Sequence, residues 1–254
     1  MWYCVLLQLL VLLNKDVIMI SLYSFGSSFG VMDPSPFVVK VDAFLKMADL
    51  PYEVKSGAHN LKKAPKGKLP FISIEQQAEK LIISDSQNII EHLTQNHSIT
   101  LDAFLSAEQQ AQAYLLTKSL DENLYWCLVY SRWMLDDMWP LVNKAFFSAI
   151  PAPLRWFIPN LIRKAVRKNL HGQGTGRHSK DEILAIADKS FSALSILLGD
   201  KAYFYGEQPC SFDATAYSIL CQFISVDCKN EFNDKARSYA NLSSFCQRIE
   251  KQFY

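Results

Sequence analysis

Gly67-Lys68-Leu69-Pro70-Phe71 and, a short hairpin later, Ile82-Ile83-Ser84-Asp85-Ser86 decide how this chain is read. A strand that begins immediately after a proline needs a reason, because proline cannot donate to a sheet ladder and is confined to strand starts, edges and bulges. A cis bond before Pro70 would turn the Leu69 backbone outward, where it can pair with an extended peptide. The second strand ends in Asp85-Ser86 at the mouth of a helix. That end offers free backbone donors, a carboxylate and a hydroxyl.

The chain alternates strand and helix patterns on either side of this stretch. Residues 17–25 are rich in β-formers and stop at Gly26, a buried strand. Residues 35–48 place Phe37, Val38, Val41, Phe44, Leu45 and Ala48 at helical spacing, and Pro51 ends that run. Tyr52-Glu53-Val54 suggests a second strand, residues 57–64 a basic loop or short helix, and residues 71–74 and 81–83 a hairpin. Residues 86–95 carry Ile89, Ile90 and Leu93 on one helical face. The order β-α-β-(α)-β-β-α has a parallel pair joined by a crossover helix and an antiparallel hairpin added.

Beyond residue 103 the patterns are helical. One continuous helix is expected over 107–136, and others over 139–149, 154–170, 179–198, 212–225 and 242–252. Three segments follow: 1–16 hydrophobic, 17–96 α/β, 104–254 all-helical.

Composition limits the function classes. The chain has 254 residues, of which 50% are hydrophobic and 13% aromatic, enough for a sizeable core. A net charge of +1 gives no case for nucleic acid as a partner. Six cysteines show no CxxC pair and no metal-like spacing with histidine, so they read as reduced, mostly buried thiols, and no metal is expected. Residues 1–13 are apolar apart from Gln8, shorter than the roughly 20 residues that cross a bilayer, and lack a basic leader and cleavage site. A cytosol-facing membrane tether, an arm packed on the fold and a misassigned start all remain open for them; a cytoplasmic protein is the leading expectation.

Asp33-Pro34-Ser35-Pro36-Phe37 opens the first helix. Ser35 reads as an N-cap with Pro36 at the first helical position. The same physics allows a second role, because a helix N-terminus stabilises a thiolate placed against it. Ser24, near the end of the first strand, is the alternative hydroxyl, with Tyr23 on the opposite face. Asp85 and Ser86 also have a purely capping reading. His171 to His178 is glycine-rich and reads as a structural join, with His178 packed and hydrogen-bonded. Ser179-Lys180-Asp181-Glu182 is a capping box. At Cys210-Ser211-Phe212-Asp213 the cysteine replaces a hydroxyl cap, so the cap is expected to weaken or shift to Ser211. The basic stretch 154–170 reads as a solvated bundle face, with an anionic membrane as the other option. Trp126, Tyr130, Trp133 and Trp139 are either core or a hydrophobic cleft.

Ala64-Pro65-Lys66-Gly67-Lys68-Leu69-Pro70, Ser35-Pro36-Phe37, Asp85-Ser86 with Ile89-Ile90-Glu91-His92-Leu93, Gly174-x-Gly176-Arg177-His178-Ser179 and Ser211-Phe212-Asp213-Ala214 together resemble the failed-axon-connections branch of glutathione transferase-like proteins, related to metaxins and to nematode cadmium-responsive proteins. The resemblance runs from about Lys15 to the C-terminus. It implies a thioredoxin-like domain followed by a glutathione transferase-type helical bundle. It also implies glutathione as ligand or co-substrate, with Ser35 (or Ser24) at the thiol, Leu69 and Pro70 at the cysteinyl backbone, Asp85 and Ser86 at the γ-glutamyl end and Lys68 near a carboxylate. A hydrophobic electrophile would complete a conjugation reaction, and a homodimer is an option. The alternative within the branch is a non-catalytic adaptor or stress-response protein, membrane-associated through residues 1–13.

Overall fold

The computed structural model describes residues 19–76, 79–148 and 150–254. Residues 1–13, with the tether reading attached to them, lie outside these. Strand β1 (Met19–Ser24) pairs in parallel with β2 (Tyr52–Ser56) and antiparallel with β3 (Phe71–Gln76), and β3 pairs antiparallel with β4 (Glu79–Ser84). The sheet order is β2-β1-β3-β4. Helix α1 (Pro36–Met47) crosses between the parallel strands, and α2 (Ser86–Asn96) follows the hairpin. The ladder is longer than the hydrophobic pattern indicates, because the polar Glu75 and Lys80 pair across it.

The helical half contains α3 (Ala107–Ser119), α4 (Tyr125–Trp133), α5 (Trp139–Phe147), α6 (Ile158–Gln173), α7 (Lys180–Leu198), α8 (Ser211–Ile224), α9 (Glu231–Arg237) and α10 (Ala240–Phe253). Two features differ from the sequence reading. The continuous helix expected over 107–136 is interrupted by a π-helical turn, Leu120–Leu124. Its wider turn buries Leu120 and Leu124 while Asp121 reaches the buried Lys40. The seven-residue α9 has no amphipathic signature and is held by its cap, Asn230, whose side chain accepts from the N–H groups of Phe232 and Asn233.

The two halves share one continuous apolar core. Helix α1 joins them: it lies against β1 and packs most extensively on α8, and every residue from Val38 to Leu45 is buried. Such all-round burial leaves no solvated face for Lys40 or Asp42, so each must find an internal partner. Among the described residues, no helix is long and apolar enough to cross a membrane.

Candidate functional site

A cleft of about 530 Å³ opens between the two halves, within the usual range for small-molecule sites. One wall is built from the N-terminus of α1, the loop ahead of β3 and the β4–α2 junction. The other comes from the end of α3, the π turn, α4 and Phe146 of α5. Ser35, Lys68, Leu69, Pro70, Asp85 and Ser86 all line it, although they derive from three separate segments.

Ser35 occupies the N-cap position of α1 with extended backbone, φ −90° and ψ 118°, but its hydroxyl makes no capping bond. Ser35 is thus the N-cap by position, with Pro36 at the first helical position as the sequence indicates, but without a side-chain capping bond. The N–H of Val38, a usual partner of an N-cap hydroxyl, donates instead to the Ser35 carbonyl at 3.1 Å, as does that of Val39. A half-buried hydroxyl is left at the positive end of a helix, beside the cleft.

Asp33, fully buried, fixes the turn that carries this serine. Its Oδ1 accepts from Ser35 N–H at 2.7 Å, and its Oδ2 accepts from Phe25 N–H at 2.7 Å and Gly26 N–H at 3.1 Å. Burial pushes its carboxyl up to about 7 against the three backbone donors, which favour the charged form. The helical half reaches the same turn: Arg132 of α4 donates to the Pro34 carbonyl at 2.7 Å and to Gln222 Oε1 of α8, and Gln222 Nε2 donates to the Asp33 carbonyl at 3.0 Å. Sequence reasoning gave none of Asp33, Arg132 and Gln222 a role: the Asp33 carboxylate acts locally, on donors two to eight residues away, whereas Arg132 and Gln222 reach the turn across 98 and 189 residues.

On the same wall the Leu69–Pro70 bond is cis. The ladder of β3 begins at Phe71, so the Leu69 peptide groups lie outside it. Asp85 is a non-glycine residue at φ +81°, a conformation that costs on the order of 1–3 kcal/mol and tends to mark ligand sites. Its Oδ1 accepts from Gln87 N–H at 3.1 Å and Asn88 N–H at 3.4 Å, so the capping reading holds for Asp85. Its side chain remains exposed, beside the buried Ser86. Lys66 and Lys68 stand exposed on the rim.

The far end of the cleft is apolar. Trp126, Trp133, Phe146, Phe37 and Tyr125 line it, with Trp133 stacked on Phe146 at 5.6 Å and Phe37 against Tyr125 at 4.8 Å. Trp139 and Tyr130 do not line the cleft; they pack on Trp133 and Phe232 respectively. Beneath the cleft floor, Lys40 Nζ forms a 3.0 Å ion pair with Asp121 and a 3.4 Å contact with Gln87 Oε1. Burial lowers the Lys40 pKa, and Asp121 opposes the shift. The pair ties α1, α2 and the π turn together.

Other expected positions fall elsewhere. Ser24 is buried, shares a 3.1 Å hydrogen bond with Ser56 Oγ, and does not line the cleft. Its neighbour Tyr23 stacks on Phe71 at 4.0 Å. His178 is exposed and 3.9 Å from Glu182, not packed as expected, because Ser179 and Glu182 close the capping box and turn the preceding residue outward. The cap of α8 does not shift to Ser211. Asp213 accepts from Cys210 N–H at 2.8 Å and from Phe204 N–H at 2.9 Å, while Ser211 bonds Asp102. Among the described residues, every cysteine is buried and none lines the cleft. Burial raises their thiol pKa values, Cys127 to about 12, which keeps them unreactive. No group of three His, Cys, Asp or Glu side chains suited to a metal occurs among the described residues.

Residues 36–138 match the family profile described as glutathione S-transferase N-terminal domain, and residues 187–249 that of the glutathione S-transferase C-terminal domain. The chain is 30% identical over 242 residues to isoprene-epoxide--glutathione S-transferase of Rhodococcus sp. (strain AD45), covering 92% of this chain and 99% of that one. It is 28% identical over 223 residues to metaxin-2 of Homo sapiens, covering 84% and 80%. It is 30% identical over 229 residues to Failed axon connections of Drosophila melanogaster, covering 84% of this chain and about half (52%) of that protein. Among solved structures, glutathione transferase GSTFuA3 from Phanerochaete chrysosporium superposes with a TM-score of 0.62 at 15% identity, covering 92% and 97%.

Proposed function

The chain belongs to the glutathione S-transferase family, in its metaxin-like branch, and on that premise we propose that its cleft binds glutathione and presents the thiol to Ser35 for conjugation. The observation that carries this reading is the Ser35 hydroxyl, which a helix N-cap would ordinarily consume and which here makes no capping bond. A donor hydroxyl at the positive end of α1 stabilises a thiolate over a thiol, so glutathione bound there is nucleophilic at neutral pH.

The remaining groups match the rest of the tripeptide. The Leu69 backbone, outside the β3 ladder, pairs with the cysteinyl segment. The Asp85 carboxylate meets the γ-glutamyl ammonium, and Ser86 with the start of α2 meets its carboxylate. Lys66 and Lys68 on the rim face the glycyl carboxylate. The aromatic end built from Trp126, Trp133 and Phe146 holds an apolar electrophile. The name of the Rhodococcus relative suggests an epoxide as its class. The thiolate sulfur then forms a bond to an epoxide carbon, the carbon–oxygen bond breaks, and the alkoxide takes a proton from water. Rate enhancement comes from positioning and thiolate stabilisation, with no covalent enzyme intermediate.

Calorimetric titration of glutathione into the full chain, and into Asp85→Ala, tests the binding step. Saturable heat that weakens in the variant supports the reading. No heat at millimolar glutathione contradicts it and favours a non-catalytic binding module.

A further inference from the structure

Between Asp137 and Asp181 the chain carries eight basic residues and no acidic one, although the whole protein has a net charge of only +1. This acid-free stretch contains α6 and the 3-10 turn Leu154–Trp156 that leads into it. Leu154, Trp156, Phe157 and Leu161 are each more than half exposed. Phe157 and Leu161 stand one helical turn apart, the Leu161 N–H donating to the Phe157 carbonyl at 3.1 Å. Leu161, Lys164 and Lys168 continue as one outward stripe at i, i+3 and i+7. The opposite face is committed inward. Arg163 donates to the Trp133 and Met134 carbonyls at 2.8 and 3.0 Å, pairs with Asp136 at 2.9 Å and stacks over Trp139.

An aromatic and leucine knob flanked by lysines and arginines, with the helix clamped from behind, is costly on a free surface. We propose that Trp156, Phe157, Leu154 and Leu161 dock into an anionic lipid membrane, with Arg155, Lys164 and Lys168 against the lipid headgroups. The apolar side chains enter the headgroup–acyl boundary and the basic side chains neutralise lipid charge. A second copy docked through the same patch would bring two basic stripes face to face. An acidic membrane supplies both the apolar layer and the opposite charge. The docking does not depend on what occupies the cleft.

Cosedimentation of the full chain with phosphatidylcholine vesicles, with and without phosphatidylserine, tests this. Because the intact chain retains residues 1–13, the decisive comparison is with Trp156→Ser/Phe157→Ser and Lys164→Gln/Lys168→Gln, whose side chains are exposed. Circular dichroism verifies their folding. Binding should require phosphatidylserine, weaken with salt and fall roughly five-fold for each lysine removed. It should also fall sharply in the aromatic variant. In addition, brominated lipid should quench the fluorescence of the wild type more than that of Trp156→Phe. Equal binding of wild type and variants, or no preference for phosphatidylserine, overturns the proposal. So does self-association that Trp156→Ser abolishes in the absence of any vesicle binding.

Discussion

Arg132, buried in the helical half, donates a 2.7 Å hydrogen bond to the carbonyl of Pro34, the residue that precedes Ser35. The bond makes the serine's position a property of both halves of the fold. With Gln222 bonding both Arg132 and the Asp33 carbonyl, side chains from α4 and α8 together hold the turn.

Replacing Arg132 by Met should therefore cost more than the packing it preserves. The Pro34 carbonyl and Gln222 Oε1 would each be left without this donor, at about 1–3 kcal/mol apiece. Urea unfolding should show the loss. Any glutathione-dependent activity should fall further than the fraction unfolded explains, because the turn carrying Ser35 loosens first.

Asp33 gives a pH dependence with a definite sign. Its carboxyl is pushed up to about 7 in the fold by burial, from about 3.8 in the open chain. Between those values the folded protein holds a proton that the unfolded chain has released, so stability falls as pH rises from about 4 to about 7 and levels off above. Asp33→Asn removes this component. It also turns an amide NH₂ towards backbone N–H donors, an expected loss of about 1–3 kcal/mol for each unmet donor. Unfolding midpoints measured across this window should slope more steeply downward in the wild type than in the variant.

The Lys40–Asp121 pair should behave as buried pairs do. Lys40→Met alone leaves the Asp121 carboxylate, which lines the cleft, without its cation and should cost less than the roughly 3–5 kcal/mol of breaking a fully buried pair. Lys40→Met/Asp121→Leu should recover most of that. A double variant as unstable as the single one would show that the lysine acts chiefly through Gln87 or through packing.

Gly176 tests the join before α7. A Cβ there would lie 2.8 Å from the backbone of His171 and Leu170, which cannot yield as a flexible side chain would. Gly176→Ala should cost about 1–3 kcal/mol in thermal or urea unfolding and leave any glutathione binding unchanged.

How far the molecule could be read from its sequence depends on the range over which each signal acts. Pro70 ahead of a strand and Asp85-Ser86 ahead of a helix are local patterns, and they located one wall of the cleft together with the fold. Ser35 was found for its position, but Ser-Pro at a helix start looks the same whether or not the hydroxyl caps. Only the structure shows that it makes no capping bond. Arg132 and Gln222 reach the site across 98 and 189 residues, with no local pattern to mark them. Lys40 does carry a local signal: a lysine inside Val38-Val39-Lys40-Val41, a run with no polar face to place it on. The π turn escaped because one widened turn barely changes the apolar spacing of a long helix.

The central claim is that Ser35 stabilises a glutathione thiolate. The most direct test is the thiol pKa of glutathione bound to the full chain, followed by thiolate absorbance against pH for the wild type and Ser35→Ala. The wild type should hold the bound thiol near about 6.5, inside the range of thiols at helix N-termini, and the variant should return it towards about 8.5 while glutathione still binds. A bound thiol with the same pKa in both proteins would contradict the account.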